Sequence, residues 1–246
     1  MTEETAMLWE TVIEWLYPRR CPLCGDIALP RGELACPGCK KRQRRLSGAR
    51  CFRCGKELER RERVYCPDCE GRKFSYERGF ALWRYDAVMK RSIQEFKYKG
   101  RQEYADFYVE QLLEEYRERL LALELLAVLP VPLYKTRRQE RGYNQAELLA
   151  AGIAAGLGLP LITDFLVRSR ATRPQKELGP KERQKNVETA FSVNPRSRAA
   201  ESPPSRILLV DDIYTTGSTV EACSQVLRQA GVRSVYLLCL CIGTGV

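Results

Sequence analysis

The 246-residue sequence contains no histidine. Catalytic triads and general bases built on imidazole are therefore excluded, and any zinc has to be bound by thiolates. No apolar run approaches the roughly 20 residues that a membrane-spanning helix needs. The N-terminal segment carries Glu3, Glu4, Glu10 and Glu14, which a signal peptide would not. We therefore expect a cytoplasmic protein without membrane insertion.

Eight of the 11 cysteines lie in CxxC pairs that belong to an internal duplication. The stretches "CPLCGDIALPRGELACPGC" and "CFRCGKELERRERVYCPDC" share the spacing C-x2-C-x11-C-x2-C at a constant offset of 30 residues. Two CxxC turns that face each other complete a tetrahedral zinc site with no open coordination position. The sequence therefore predicts two structural Zn²⁺ sites, one with ligands Cys21, Cys24, Cys36 and Cys39 and one with Cys51, Cys54, Cys66 and Cys69.

Other interpretations of the cysteine repeat stay open. Pairing within each copy is preferred because each copy is complete, but Cys21 and Cys24 joined to Cys51 and Cys54 is a second arrangement. Redox pairs and an iron–sulfur cluster are less favoured, because redox motifs rarely occur as duplicated quartets. The three cysteines outside the repeat, Cys223, Cys239 and Cys241, are interpreted as small core residues.

The chain is basic, with 41 Lys and Arg against 31 Asp and Glu and a formal net charge of +10. Each four-thiolate zinc site carries −2, so two sites lower this value to +6. A dense basic tract lies within and between the cysteine copies, and it is typical either of contact with nucleic-acid phosphates or of a solvated face that offsets the zinc sites. Its members are Lys40, Lys41, Arg42, Arg44, Arg45, Arg50, Arg53, Lys56, Arg60, Arg61 and Arg63.

Hydrophobic periodicity after residue 75 indicates strands that alternate with helices, which favours a parallel sheet with helices on both faces. We expect a zinc-ribbon unit over residues 1–75 and an α/β domain over 76–246. An amphipathic helix over 3–16 would pack against the ribbons, and residues 171–190 would form a loop or flap. Strands are predicted at 78–85, 124–132, 165–170, 190–193, 206–210 and 234–241, and helices at 86–99, 103–122, 144–156 and 218–230.

The stretch "RILLVDDIYTTGST" places two carboxylates, Asp211 and Asp212, after the apolar run 207–210. Ligands of parallel sheets bind at the carboxyl ends of the strands. The small residues that follow open a helix, where unpaired N–H groups and hydroxyls attract a phosphate while the carboxylates accept hydrogen bonds from a sugar. These small residues are Thr215, Thr216, Gly217, Ser218 and Thr219. The pattern predicts a site for a phosphorylated pentose.

"ILLVDDIYTTGST" resembles the phosphoribosyl-pyrophosphate (PRPP) motif of type I phosphoribosyltransferases. The resemblance implies that the acidic pair (Asp211 and Asp212, the catalytic candidates) holds the ribose hydroxyls and that the loop holds the 5-phosphate. It also implies Mg²⁺ carried by the pyrophosphate. Transfer through an oxocarbenium-like state depends mainly on positioning and electrostatics, so the lack of histidine is no obstacle.

The whole chain resembles the ComF family of competence-associated bacterial proteins. The likeness is carried by the four-cysteine copies and by "FKYKGR" (96–101), "LPVPLYKTRRQERGYNQAELLA" (129–150) and "RSRATRPQKELGPKERQKNVETAF" (168–191). It implies a pyrophosphate site that includes Lys135, Arg137, Arg138 and Arg141. It also implies a flap over 170–186 in which Arg170, Gln175, Arg183 and Asn186 match.

Three functions follow from this resemblance. The first is an accessory role in DNA uptake, with binding of PRPP or ribose 5-phosphate, of single-stranded DNA, and of a ComF-type helicase/ATPase. In "FKYKGR", Phe96 or Tyr98 would stack on bases, although core packing is favoured for Phe96. The second is active phosphoribosyl transfer to an unknown base or amine. The third is binding of PRPP or of a ribose-phosphate end without turnover.

Overall fold

The computed structural model describes residues 17–169 and 190–243. The predicted helix at 3–16 and the flap residues from 170 to 189, Arg183 among them, lie outside these ranges. No helix within these ranges is both long enough and apolar enough to cross a membrane.

The described chain forms a zinc-ribbon segment followed by alternating strands and helices. The strands are β1 (Arg78–Arg84), β2 (Ala127–Pro130), β3 (Leu166–Arg168), β4 (Phe191–Val193), β5 (Arg206–Tyr214) and β6 (Ser234–Ile242). The helices are α1 (Pro37–Arg42), α2 (Ala87–Tyr98), α3 (Tyr104–Leu121), α4 (Lys135–Arg141), α5 (Gln145–Leu157), α6 (Arg198–Glu201) and α7 (Ser218–Gln229). The α/β class predicted from the sequence is confirmed.

Four strands make one parallel sheet in the order β1-β6-β5-β2. The two central strands are almost wholly buried, as expected for a parallel sheet covered on both faces. On one face, Leu208 and Val210 of β5 pack in the same core as helices α2, α3 and α5. On the other, Ile207 and Leu209 pack with α7. Side chains thus alternate between the two faces from Ile207 to Val210.

Several boundaries differ from the sequence prediction. Strand β5 does not end at Val210; it continues to Tyr214, because Ile213 and Tyr214 pair with Cys241 and Ile242 of β6. The segment 135–141, for which the sequence predicted no helix, is helix α4. Strands β3 and β4 do not join the parallel sheet and instead form a separate antiparallel pair.

Candidate functional site

The cysteines form two separate clusters, and in each cluster the four sulfur atoms lie within 4.8 Å of one another. One cluster holds Cys21, Cys24, Cys36 and Cys39 and the other Cys51, Cys54, Cys66 and Cys69, so the preferred pairing within each copy is confirmed. None of these thiols forms a disulfide.

The second cluster has the dimensions of a zinc site. Zn–S bonds of about 2.3 Å in a tetrahedral site require sulfur separations of about 3.8 Å. The sulfurs of Cys54 and Cys66 are 3.7 Å apart. A closed shell of four thiolates leaves no position for substrate, so Zn²⁺ here would stabilise the fold and take no part in a reaction.

Much of the basic tract fastens the ribbons to the α/β domain. Arg45 binds Gln111 at 2.6 Å and Glu114 at 2.7 Å on α3, and Arg50 donates to the Ala81 carbonyl of β1 at 3.2 Å. Arg53 donates to the Glu77 carbonyl at 2.8 Å. These side chains therefore have a structural role. Other members of the tract are exposed and form no ion pair with any described residue; they are Lys41, Arg44, Arg60 and Arg61.

The acidic pair lies on the part of β5 that extends beyond its neighbour β2. The ladder between them ends at Pro130 opposite Val210, whereas β5 continues for four more residues. Because side chains alternate along a strand, Asp211 and Asp212 point toward opposite faces of the sheet. The end of β5 thus carries one carboxylate on each face of the sheet, and this part of β5 has no neighbouring strand on the β2 side.

Asp212 lies on the face of α2 and forms an ion pair with Lys97 at 2.5 Å. Both side chains are largely buried, with 18% of the Lys97 side chain and 12% of the Asp212 side chain exposed. Burial opposes the charge of the lysine, but the two aspartates outweigh it and raise the pKa of Lys97 above its ordinary value. A fixed cation therefore lies beside the predicted sugar-binding carboxylate.

Asp211 lies on the opposite face and is partly exposed. Burial and the adjacent Asp212 raise the pKa of Asp211 to about 7, although Lys97 and Arg168 favour its charged form. One oxygen of its carboxylate accepts the backbone N–H of Asp212 at 2.8 Å. Near neutral pH the Asp211 side chain is therefore present in both its protonated and its ionised form.

The predicted phosphate loop follows β5 directly and opens α7. Gly217 is the N-cap residue and has a φ of +79°, a conformation that favours glycine. Thr215 and Thr216 are exposed, and the hydroxyl of Thr216 lies 2.9 Å from that of Ser218. Unpaired N–H groups at the start of α7 and these hydroxyls offer donors to an anion. Ser218 and Thr219 begin the helix, as the sequence predicted.

The motifs "FKYKGR" and "RGYNQ" meet beside the acidic pair. The guanidinium of Arg141 stacks over the Tyr98 ring at 4.7 Å, and it donates to the hydroxyl of Tyr98 at 3.0 Å. Tyr143 donates to the carbonyl of Phe96, which is fully buried. The preference for Phe96 as a core residue is therefore confirmed, while Tyr98 remains 68% exposed.

The basic residues predicted for pyrophosphate lie on or at the end of α4, which follows β2. Lys135 and Arg137 are exposed, and Arg138 forms an ion pair with Glu147 at 3.1 Å. Arg141 donates to Gln145 at 2.9 Å. Arg137 is close enough that, together with burial, it lowers the pKa of Arg168. Arg168 and Lys97 were not predicted as site residues, and the one available signal was their position in basic motifs.

A connection between the second ribbon and the phosphate loop was also missed. The hydroxyls of Tyr76 and Tyr214 lie 2.9 Å apart in the core. Ser75 donates to the carboxylate of Glu221, in the first turn of α7, through its N–H at 2.9 Å and its hydroxyl at 2.8 Å. These contacts join residues more than 130 positions apart, so no local pattern in the sequence could reveal them.

Both halves of the chain match models of known protein domains. A model of the double zinc ribbon domain matches residues 12–70, and a model of the phosphoribosyl transferase domain matches residues 144–244. The three unassigned cysteines, Cys223, Cys239 and Cys241, are buried core residues as predicted.

Curated relatives match along nearly the full length. Competence protein F of Haemophilus influenzae is 33% identical over 89% of this chain and 94% of that protein. DNA utilization protein YhgH of Escherichia coli K12 is 28% identical over 91% and 97%. Competence protein ComFC of Bacillus subtilis is 26% identical over 81% and 80%. As its motifs predicted, the chain belongs to the ComF family of competence proteins.

Proposed function

We propose that this chain is an accessory protein of DNA uptake that binds a phosphorylated pentose and single-stranded DNA. The pentose, as PRPP or ribose 5-phosphate, would bind the phosphoribosyltransferase-like domain (76–246), and the DNA would bind basic surfaces of the ribbon unit (1–75). The names of the relatives, competence and DNA utilization proteins, support the role in DNA uptake.

One observation carries the pentose proposal: the overhanging end of β5 joins two carboxylates to a helix that starts with hydroxyls. The ribose hydroxyls would donate to Asp211 and Asp212 around the free edge of β5. The 5-phosphate would accept hydrogen bonds from the N–H groups and hydroxyls of residues 215–219, favoured by the dipole of α7.

The pyrophosphate of PRPP would lie toward α4, where Lys135, Arg137 and Arg141 supply positive charge. Mg²⁺ would arrive with this ligand and neutralise part of its charge, as oxygen-rich phosphate groups are the partners it prefers. Lys97 would hold the Asp212 carboxylate in place through their ion pair at 2.5 Å. The residues present therefore fit a phosphorylated, magnesium-bound sugar.

Isothermal titration calorimetry with PRPP and Mg²⁺, and separately with ribose 5-phosphate, tests this site. We expect the double variant Asp211→Ala with Asp212→Ala to weaken binding at least tenfold, because two acceptors for buried hydroxyl donors are lost. Asp106→Ala, which removes an exposed carboxylate on α3, is the matched control and should bind normally. Unchanged affinity in the double variant would remove the pentose proposal.

A second candidate is active phosphoribosyl transfer, which the match of residues 144–244 to the phosphoribosyl transferase domain supports. The protein would be incubated with PRPP, Mg²⁺ and a panel of bases and amines. Pyrophosphate release that requires one acceptor would establish an enzyme. Binding of PRPP without release would leave a ligand-binding role.

The DNA part of the proposal places the protein at the cytoplasmic face of the membrane beside a ComF-type helicase/ATPase. Retention of a labelled oligothymidylate on immobilised protein at rising salt tests single-strand binding. Pull-down of the purified helicase/ATPase tests the partner. No retention at low ionic strength would end the DNA part and leave the pentose part standing.

A further inference from the structure

An open cleft of about 470 Å³ lies where the second ribbon, strand β1 and helix α3 meet. Its walls carry three arginines, Arg50, Arg78 and Arg119, and one carboxylate, Glu115. It lies outside the acidic pair and the phosphate loop described above. The cleft therefore has a surplus of positive charge that the pentose site does not use.

Only Arg50 is neutralised within the cleft. Its guanidinium lies 3.7 Å from Glu115, and it also donates to the Ala81 carbonyl at 3.2 Å. Arg78 and Arg119 form no salt bridge with any carboxylate in residues 17–169 or 190–243. Both line the same cleft, and burial and then the charge of Arg119 lower the pKa of Arg78. Two like charges that line one cleft and have no carboxylate partner of their own favour an anion between them.

Arg78 is also held in a fixed position. Its guanidinium carbon lies 4.8 Å from the ring centre of Phe52 and 5.1 Å from that of Phe80. Phe80 is buried, whereas Phe52 is 44% exposed and meets Tyr65 edge to face. An arginine ordered by two rings loses little conformational freedom when it binds a phosphate. The exposed ring beside it offers a flat surface to a base.

We infer that this cleft and the Phe52 ring beside it bind one or two nucleotides of a single strand, with a phosphate between Arg78 and Arg119 in the cleft and a base stacked on Phe52 next to it. The inference rests on the DNA-binding part of the proposed function and locates it. Positive charge that tracks a backbone, next to an exposed aromatic ring, is the arrangement that binds single strands without sequence preference. A duplex would keep its bases stacked inside and could not use Phe52.

The test is fluorescence anisotropy with a 5′-labelled oligothymidylate at several salt concentrations. We expect the double variant Arg78→Gln with Arg119→Gln to weaken binding at least tenfold and to reduce the slope of log affinity against log salt by about 0.7, because one phosphate contact is lost. Phe52→Leu should weaken binding about fivefold or more with an unchanged slope, because stacking carries no charge.

The matched control is Arg60→Gln with Arg61→Gln, which removes the same charge from exposed positions of the same ribbon outside the cleft. Equal losses in the two double variants would mean diffuse attraction and would overturn the inference. Melting temperature and a zinc content of two per chain identify any variant that fails to fold. Arg119→Gln alone changes an exposed side chain and keeps the test valid if Arg78→Gln destabilises the protein.

Competition experiments distinguish the phosphate of a single strand from other sources of the bound anion. Unlabelled oligothymidylate should displace the probe, while inorganic phosphate, thymidine 5′-monophosphate and duplex DNA should do so only at far higher concentration. The single-strand assignment would be overturned if inorganic phosphate displaced the probe as efficiently as the oligonucleotide does. It would also be overturned if the protein preferred oligouridylate to oligothymidylate and the variant Phe52→Leu kept that preference. If the wild-type protein binds no single strand, the inference and the DNA part of the proposed function both fail, while the pentose titrations remain unaffected.

Discussion

The two copies of the cysteine repeat share their ligand spacing, yet they belong to two different hydrophobic cores. The first copy belongs to the core that contains α2, α3 and α5, and three of its four cysteines are partly exposed. The second belongs to the core that contains α7, and its four cysteines are all buried. Identical ligand patterns therefore give one partly exposed cysteine cluster and one fully buried cluster.

The same division runs through the candidate site. Asp212 lies on the face of the first ribbon, against Lys97 of α2. Asp211 lies on the face of the second ribbon, near Arg168 and the buried Cys223. Tyr76 and Ser75 then connect the second ribbon to the phosphate loop and to α7. The second copy is thus the one whose structure bears on ligand binding.

The largest contrast is expected from the loss of one zinc ligand in each copy. Cys66→Ser and Cys36→Ser should each lower the zinc content from two to one per chain. Cys66→Ser should lower the melting temperature by at least about 10 °C more, because its cluster is part of a core and a difference of 1 kcal/mol shifts the midpoint by about 2–4 °C in a chain of this size. Calorimetric melting with zinc analysis measures both.

Equal melting temperatures for the two serine variants would show that the burial of the second cluster adds nothing to stability. Ribose 5-phosphate titration gives a second readout. Cys66→Ser should weaken binding through the loop, and Cys36→Ser should leave it unchanged.

A glycine at the same position in both copies gives a finer comparison. Gly25 and Gly55 have φ values of +83° and +81°, so alanine is strained equally at both, by about 1–2 kcal/mol. A Cβ at Gly55 would lie 2.9 Å from the Gly79 carbonyl, whereas at Gly25 its nearest neighbour is the flexible Glu95 carboxylate at 3.9 Å. Gly55→Ala should therefore cost about 1–3 kcal/mol more in urea unfolding than Gly25→Ala. Equal costs would contradict the close packing of the second ribbon on β1.

These contrasts mark the limit of what the sequence could predict. The CxxC spacing fixes both zinc sites because the ligands are local, and the run 207–210 fixes β5 because its burial is continuous. Which copy is buried depends on contacts such as Gly55 with Gly79 and Ser75 with Glu221, which are distant in the chain. The end of β5 was missed because Ile213 and Tyr214 pair with β6, and a pairing partner is invisible in one strand's sequence.

Loss of the hydrogen bond between the buried Tyr76 and Tyr214 is expected to have a smaller effect than the cysteine and glycine substitutions. This effect should be confined to the face of the sheet that carries α7. Tyr76→Phe removes the bond to Tyr214 and should cost about 1–3 kcal/mol of stability, since it leaves a buried hydroxyl without its partner. It should also weaken ribose 5-phosphate binding severalfold, because Tyr214 is the last residue of β5 and lies directly before the phosphate loop.

Tyr108→Phe is the matched control for Tyr76→Phe. It removes a similar buried bond, to Ser92 at 2.6 Å, on the first ribbon's face. The stability loss should be comparable and the ligand affinity unchanged. A loss of affinity in both variants would mean that the phosphate loop responds to general destabilisation and not to the second ribbon.

The smallest predicted effect is a pH dependence that distinguishes the two aspartates. The pKa of Asp211 is raised to about 7, above the ordinary value of about 3.9, so its contribution to stability is full below about pH 4 and is lost as the pH rises through about 7. Ligand affinity should change in the opposite direction, because the ionised carboxylate is the better acceptor for a ribose hydroxyl. Ribose 5-phosphate should therefore bind a fewfold more tightly at pH 8 than at pH 6.

Asp211→Asn should remove the part of this change that exceeds the titration of the phosphate itself. Asp212→Asn should instead move the transition to lower pH, since it removes the neighbouring charge that disfavours ionisation of Asp211. If the wild type and Asp211→Asn showed the same dependence of affinity on pH, that dependence would come from the ligand's phosphate and not from Asp211.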